Sequence, residues 1–182
     1  MRQDTQANLD PNTDKLQDAC DVAITDREFK TAYRFAQRSL LADPGKSRSY
    51  IQIAQACIQI DQNEKAADAL SHALVFNPNS STQLLLNHAL SSEAAGRYEA
   101  ALGSYNSVLR EDPANKIARD HRIAVTFLMG DRLNSLQYLS ELPNRAFDQN
   151  YMLGVCELEL GRPDQALAHL AVATSQRPNY QA

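Results

Sequence analysis

The chain has 182 residues, 43% of them apolar, and its 18 basic and 22 acidic side chains give a formal charge of −4. That length allows one or two domains with an ordinary core and excludes collagenous, low-complexity and wholly disordered readings. The basic surplus that phosphate neutralisation requires is absent, which argues against a nucleic-acid partner, and no apolar run reaches the roughly 18 residues that span a bilayer.

Residues 1–12, MRQDTQANLDPN, read as a flexible polar leader without an apolar signal core. The first helix carries Asp14, Lys15, Gln17, Asp18 and Asp21, a polar side suited to the end of a stack. Breakers then recur at one period. Pro44, Pro78 and Pro113 are 34 and 35 residues apart and Pro178 lies 65 beyond, while Gly96, Gly130 and Gly161 are spaced by 34 and 31. Each of these prolines follows a helical run, as in LLADP, LVFNP, REDP and SQRP, and each glycine falls between two helical halves. Inside a period, apolar and small residues keep helical spacing, as in Ala66, Leu70, Ala73 and Leu74, or Ala101, Tyr105, Val108 and Leu109. No stretch alternates as a strand does, so the fold class is all-α, built of helix hairpins. The fourth hairpin is short and stops near Pro143. The last helix, DQALAHLAVATSQ, is apolar on most faces, with Leu167, Leu170 and Val172 beyond its small residues.

These features resemble the tetratricopeptide repeat family, most plainly in AAGRYEAALGSYNSVLREDP (94–113) and in Leu153, Gly154, Gly161, Ala166, Ala173 and Pro178. Aligned on the prolines, the repeats run 13–46, 47–80, 82–115, 116–146 and 147–180 within an array over 13–180. The family's small eighth position holds Cys20, Ala54, Ala89, Ile123 and Gly154, and its twentieth holds Ala32, Ala66, Ala101, Ser135 and Ala166. The mid-repeat glycine is replaced by Arg27 and Asp61 in the first two repeats, and the aromatic usual at the eleventh position is missing throughout. The resemblance implies a right-handed superhelical solenoid whose first helices line a concave groove.

It further implies that positions 2, 5, 9, 12 and 13 face that groove: Asp14, Gln17, Asp21, Ile24 and Thr25; Arg48, Ile51, Gln55, Ile58 and Gln59; Gln83, Leu86, Leu90, Glu93 and Ala94; Ile117, Asp120, Ala124, Phe127 and Leu128; Asp148, Tyr151, Val155, Leu158 and Glu159. Six are acidic and one is basic, a sum of −5. The expected partner is therefore a protein or peptide segment with apolar anchors flanked by Lys or Arg. Ile51, Gln55, Ile58, Leu86, Leu90, Phe127, Tyr151, Val155 and Leu158 supply contact area, and Asp21, Glu93, Asp120 and Glu159 supply orientation. The same spacing also serves packing between neighbouring helices, so core membership stands as the alternative for each apolar residue. Family members that clamp a C-terminal carboxylate use Lys and Asn at the fifth and ninth positions, where this chain has Gln17 and Asp21, Ile51 and Gln55, Leu86 and Leu90.

No GxSxG, Gly-rich phosphate loop or HExxH is present. His72, His88, His121 and His169 fall in four repeats without ligand spacing, and Cys20, Cys57 and Cys156 lie 37 and 99 residues apart. No catalytic residue, metal or cofactor is expected, and the cysteines read as small packing residues of a reducing compartment. The apolar C-terminal helix is expected to meet a second copy or a neighbouring protein. The leader, the short fourth hairpin and NYMLGVCELELGRPDQAL also look like the repeat proteins of bacterial pilus assembly, including the tight-adherence (Flp) type. The function expected is thus a non-catalytic scaffold, in pilus or secretion-system assembly, or alternatively a cytoplasmic chaperone of a secretion subunit. The location is cytoplasmic as the sequence stands, or periplasmic or an outer-membrane lipoprotein if a signal segment precedes it.

Overall fold

The structure, a computed structural model, describes residues 11–77 and 80–177. Pro78, Pro178 and residues 1–10 of the expected leader lie outside them. The fold is all-α, and the described residues contain no strand. Pro11 opens the first helix, where a missing N–H costs no hydrogen bond.

The chain forms two compact units, Met1–Asp112 and Pro113–Ala182. The first holds α1 (Pro11–Thr25), α2 (Phe29–Ala42), α3 (Ser47–Gln59), α4 (Asn63–Phe76), α5 (Thr82–Ala94) and α6 (Tyr98–Glu111). The second holds α7 (Lys116–Leu128), α8 (Arg132–Ser140), α9 (Phe147–Glu159) and α10 (Pro163–Gln176). Both are stacks of helix hairpins.

One local device closes all five hairpins. Arg27, Asp61, Gly96, Gly130 and Gly161 each take a left-handed conformation, with φ between 57° and 79°. In each turn two N–H groups reach back over the helix end, as from Arg27 to Ile24 O and from Glu28 to Ala23 O, at 3.1 and 2.8 Å. This pair of hydrogen bonds satisfies carbonyls that the helix leaves orphaned, and it requires a residue at positive φ. Asn115, Asp131 and Ser81 cap the helices that follow them, each side-chain oxygen accepting the N–H three residues on.

The eighth and twentieth positions are buried in every hairpin, including the fourth, where the eighth is the large Ile123. Cys20 Sγ lies 3.2 Å from Ala32 O, and Ala54, Ala66, Ala89 and Ala101 are sealed from solvent. The core of the first unit gathers around Cys20, Ala32, Ala36, Ile53, Cys57, Leu70 and Ala73. That of the second includes Ile123, Leu139, Leu142 and Leu153. The shortened helix is α8, with 9 residues against 13 to 15 elsewhere. Arg145 closes its end, donating from Nη1 to Leu139 O and Leu142 O at 3.3 Å.

Candidate partner-binding faces

In the first unit the sequence-predicted residues lie on α1, α3 and α5. Asp21 sits on α1 and accepts from Arg48 Nη2 and Gln52 Nε2 of α3, both at 2.5 Å. Burial raises the pKa of its carboxyl, yet the bonds from Arg48 and Gln52 outweigh that and hold it below the ordinary value. Around this pair runs a polar seam. Arg48 also reaches Asp18, Lys46 pairs with Asp14, and Gln17 donates to Ser49 Oγ at 2.8 Å. Gln17, expected in the groove, is therefore buried and spent on the α1–α3 contact. Glu93 on α5 accepts the Tyr105 hydroxyl of α6 at 2.5 Å, and burial together with this carboxylate keeps the phenol protonated.

The apolar candidates separate by exposure. Leu86 is 7% exposed and belongs to the packing, so it offers a partner almost no surface. Ile51 and Leu90 are half-buried, Gln55 is exposed and Ile58 is 39% exposed. Gln55 and Ile58 meet Ile24, Thr25, Arg27, Phe29, Gln59 and Asn87 around an open cleft of about 500 Å³. Four of these, Ile24, Thr25, Ile58 and Gln59, stand at the twelfth and thirteenth positions of the first two repeats. Arg27, Phe29 and Asn87 were not among the sequence-predicted lining. The only hint of Arg27 was that it stands where later repeats have glycine.

In the second unit the residues lie on α7 and α9. Asp120 pairs with Lys116 one turn back and accepts from Gln149 of α9 at 3.4 Å. Glu159 holds Arg132 through Nε at 2.5 Å and Nη2 at 3.4 Å. The same guanidinium lies 4.4 Å from the centre of the Phe127 ring and donates to Phe127 O, so the half-buried Phe127 is covered on one face. Tyr151 and Leu158 are 50% and 56% exposed, and Val155 is half-buried. Tyr151 stacks on Phe147, which carries Arg177 on its ring, and Arg177 also approaches Asp148 at 3.9 Å. On α10, Leu167 is 70% exposed and Val172 is also open to solvent.

All six carboxylates that the sequence placed on the first-helix faces thus have partners in the chain: Asp14, Asp21, Glu93, Asp120, Asp148 and Glu159. Asp14, Asp21, Asp148 and Glu159 each pair with a cation from outside their own helix, Asp120 with Lys116 of its own helix and Glu93 with a neutral phenol, so five of the six lie beside a cation of the chain. A signal existed, because Asp21 and Arg48, like Arg132 and Glu159, are opposite charges 27 residues apart.

The remaining titratable groups are structural. Burial raises the thiol pKa values of Cys20, Cys57 and Cys156, that of Cys20 to about 11, and leaves them poor nucleophiles. His88 is buried between Ser104 Oγ, 2.7 Å from Nδ1, and Ser71 Oγ, 2.9 Å from Nε2. His72 stacks on Tyr50. Among the described residues no group of three or more His, Cys, Asp and Glu is placed to hold a metal ion. No helix among them is long and apolar enough to cross a membrane.

Helix hairpins of one period, each closed by a left-handed residue and, in all but the fourth, with small residues buried at the matched positions, define a helical repeat protein. The tetratricopeptide repeat matches residues 47–80, 83–115 and 150–180, more than half of the sequence, and the chain belongs to that family. Its fold is that of a protein–protein interaction scaffold, and the family is in general non-catalytic. Among solved structures it is similar to YrrB, described as a TPR protein with an unusual peptide-binding site, at 16% identity and a TM-score of 0.76, over 91% of this chain and 86% of that one. It is also similar to MamA, at 17% identity and a TM-score of 0.72 over 92% of each chain, and to the MamA of AMB-1, at 14% and 0.73 over 93% and 94%. At these identities the likeness is one of fold.

Proposed function

We propose that the chain is a scaffold that holds an extended segment of a partner protein on its first-helix faces. The observation that carries this is the cleft beside Ile58, which joins exposed apolar surface to the amides of Gln55 and Gln59, groups suited to a peptide backbone. The peptide-binding site in the description of YrrB, a protein of like fold, is in keeping with it. Ile51, Gln55, Ile58 and Leu90 serve as contacts in the first unit, and Tyr151, Val155 and Leu158 in the second. Asp21, Glu93, Asp120 and Glu159 act instead as fasteners between helices. A role in pilus assembly, or as a secretion chaperone, has no support in the family match or in the similar structures.

A photo-crosslinking amino acid placed at Gln55 or Leu158 in native cells tests this. Adducts to one partner are expected from those positions and not from the exposed second-helix positions Arg38 and Gln137. Equal labelling from the control positions, or none from the first helices, overturns the proposal.

A further inference from the structure

Among the five left-handed turn residues, Arg27 stands apart. Three of the others are glycines, which take positive φ freely. Asp61 is a residue type that tolerates this region through short local hydrogen bonds, and its Oδ1 accepts from Asn63 Nδ2 at 2.9 Å. Arginine has no such compensation. At φ 61° it bears a backbone cost that glycine would remove, and its exposed guanidinium forms no ion pair with any described residue. A residue kept in a costly conformation points to a task done by its side chain.

The surroundings define that task. Arg27 is the charged member of the wall formed with Ile24, Ile58, Gln55, Gln59 and Asn87. Asp21, a carboxylate that the sequence placed on the same first-helix face, is already bound by Arg48 and Gln52. Asp26 and Glu28 flank Arg27 in sequence but do not line the cleft; Arg27 and Phe29 also border a neighbouring depression with Glu28, Lys30 and Ile60, where Glu28 and Lys30 offset one another and Glu28 forms no ion pair with Arg27. Gln55 and Gln59 give their amides to no other described residue, and Asn87 uses its oxygen to accept from Gln83, which leaves its NH₂ to donate. The cleft therefore combines apolar walls, amide donors and acceptors, and one cation that forms no ion pair with a described residue.

We propose that this cleft selects an extended partner segment in which an apolar side chain, seated between Ile24 and Ile58, is followed closely by an Asp or Glu that pairs with Arg27. Gln55, Gln59 and Asn87 hydrogen-bond the segment's backbone. A single cation matches a single side-chain carboxylate, whereas a chain terminus presents its charge on the backbone itself and would need the further donors that clamp-type sites provide. The selectivity is opposite in sign to the basic preference expected from sequence. It rests on the partner-binding role proposed above.

Selection of a phage-displayed random dodecapeptide library on the purified full chain tests it, with affinities of resynthesised, C-terminally amidated peptides read by fluorescence polarisation. Enriched peptides should carry an apolar residue with Asp or Glu within about the next three positions, the reach of an extended strand across such a cleft. Arg27→Glu should weaken them about tenfold or more and turn the selection toward Lys and Arg. Arg27→Gly relieves the backbone cost, so it folds at least as well, and it should abolish the charge preference without inverting it. Gln55→Ala with Gln59→Ala should weaken acidic and neutral peptides alike. Enrichment of Lys or Arg in the wild type, absence of binders, dependence on a free C-terminus, or an unchanged preference in Arg27→Glu each overturns the inference. If crosslinks still form at Gln55 while the library favours basic peptides, the scaffold role stands and only the acidic selectivity falls. If those crosslinks are also missing, the scaffold role falls with it.

Discussion

Gly154 shows how a single position sets the closeness of two helices. A Cβ built there falls 2.6 Å from Leu170 Cγ, 2.7 Å from Leu170 Cδ2 and 3.3 Å from Ala166 O, so α9 and α10 meet where only hydrogen fits. Glycine to alanine inside a helix ordinarily gains about 1 kcal/mol of propensity, but overpacking of about 1–3 kcal/mol opposes it here. Denaturant unfolding of Gly154→Ala should show a net loss of about 1 kcal/mol, and Leu170→Ala in the same chain should recover part of it in a double-mutant cycle. Additive losses would mean that the two side chains do not compete for that space. His88 offers a second test at this scale. Ser71 donates to Ala67 O, so its oxygen accepts from His88 Nε2–H, and Nδ1 accepts from Ser104. Burial, helped by Arg97, lowers the pKa of this imidazole below the ordinary 6.5. The unfolded chain therefore takes up the proton first. His88's contribution to stability is complete above about pH 6.5 and is lost as pH falls from there toward the lowered folded value. The wild-type thermal midpoint should drop between about pH 7 and about pH 5, and His88→Asn should flatten that slope. An equal slope in the variant would place the titration elsewhere.

At the scale of elements, hairpins and turns were legible because their causes are local. Prolines two residues past α2 and α6, a positive-φ residue two before each second helix and small residues at matched positions can all be read without knowing the partner helix. What could not be read was how α8 ends. Its missing turn is replaced by side chains distant in the pattern: Arg145 binds Leu139 O, Leu142 O and Asn150 Oδ1, and Gln176 of α10 donates to Arg145 O at 2.9 Å. No periodicity announces a staple of this kind. Arg145→Ala leaves carbonyls of the loop without donors and should cost about 1–3 kcal/mol. Arg145→Lys should not rescue it, since an ammonium lacks the fork that serves three acceptors. Hydrogen exchange should show protection lost first at Leu139 through Asn150, and uniform loss across the chain would argue against a local staple.

For the whole molecule, the formal charge of −4 is less informative than where the carboxylates spend themselves. The residue types on the first-helix faces were legible, and their availability was not. Availability depends on which side chain of the neighbouring repeat comes within about 3 Å, as Arg48 does for Asp21 and Arg132 for Glu159. Leu86 takes the core alternative that the spacing left open, and Gln17 is buried where a groove position was expected, since the spacing that faces a groove also faces a neighbouring helix. Ionic strength separates the two views of the surface. Six open carboxylates meeting a basic segment would bind through many screened contacts and weaken steeply with salt, whereas one Arg27–carboxylate pair is a small part of an otherwise apolar and amide contact. The affinity of a library-selected peptide should therefore fall less than about tenfold between about 0.05 M and about 0.5 M salt. A fall of about a hundredfold or more would show that the carboxylates leave their in-chain partners for the ligand, and would restore the basic segment as the better fit.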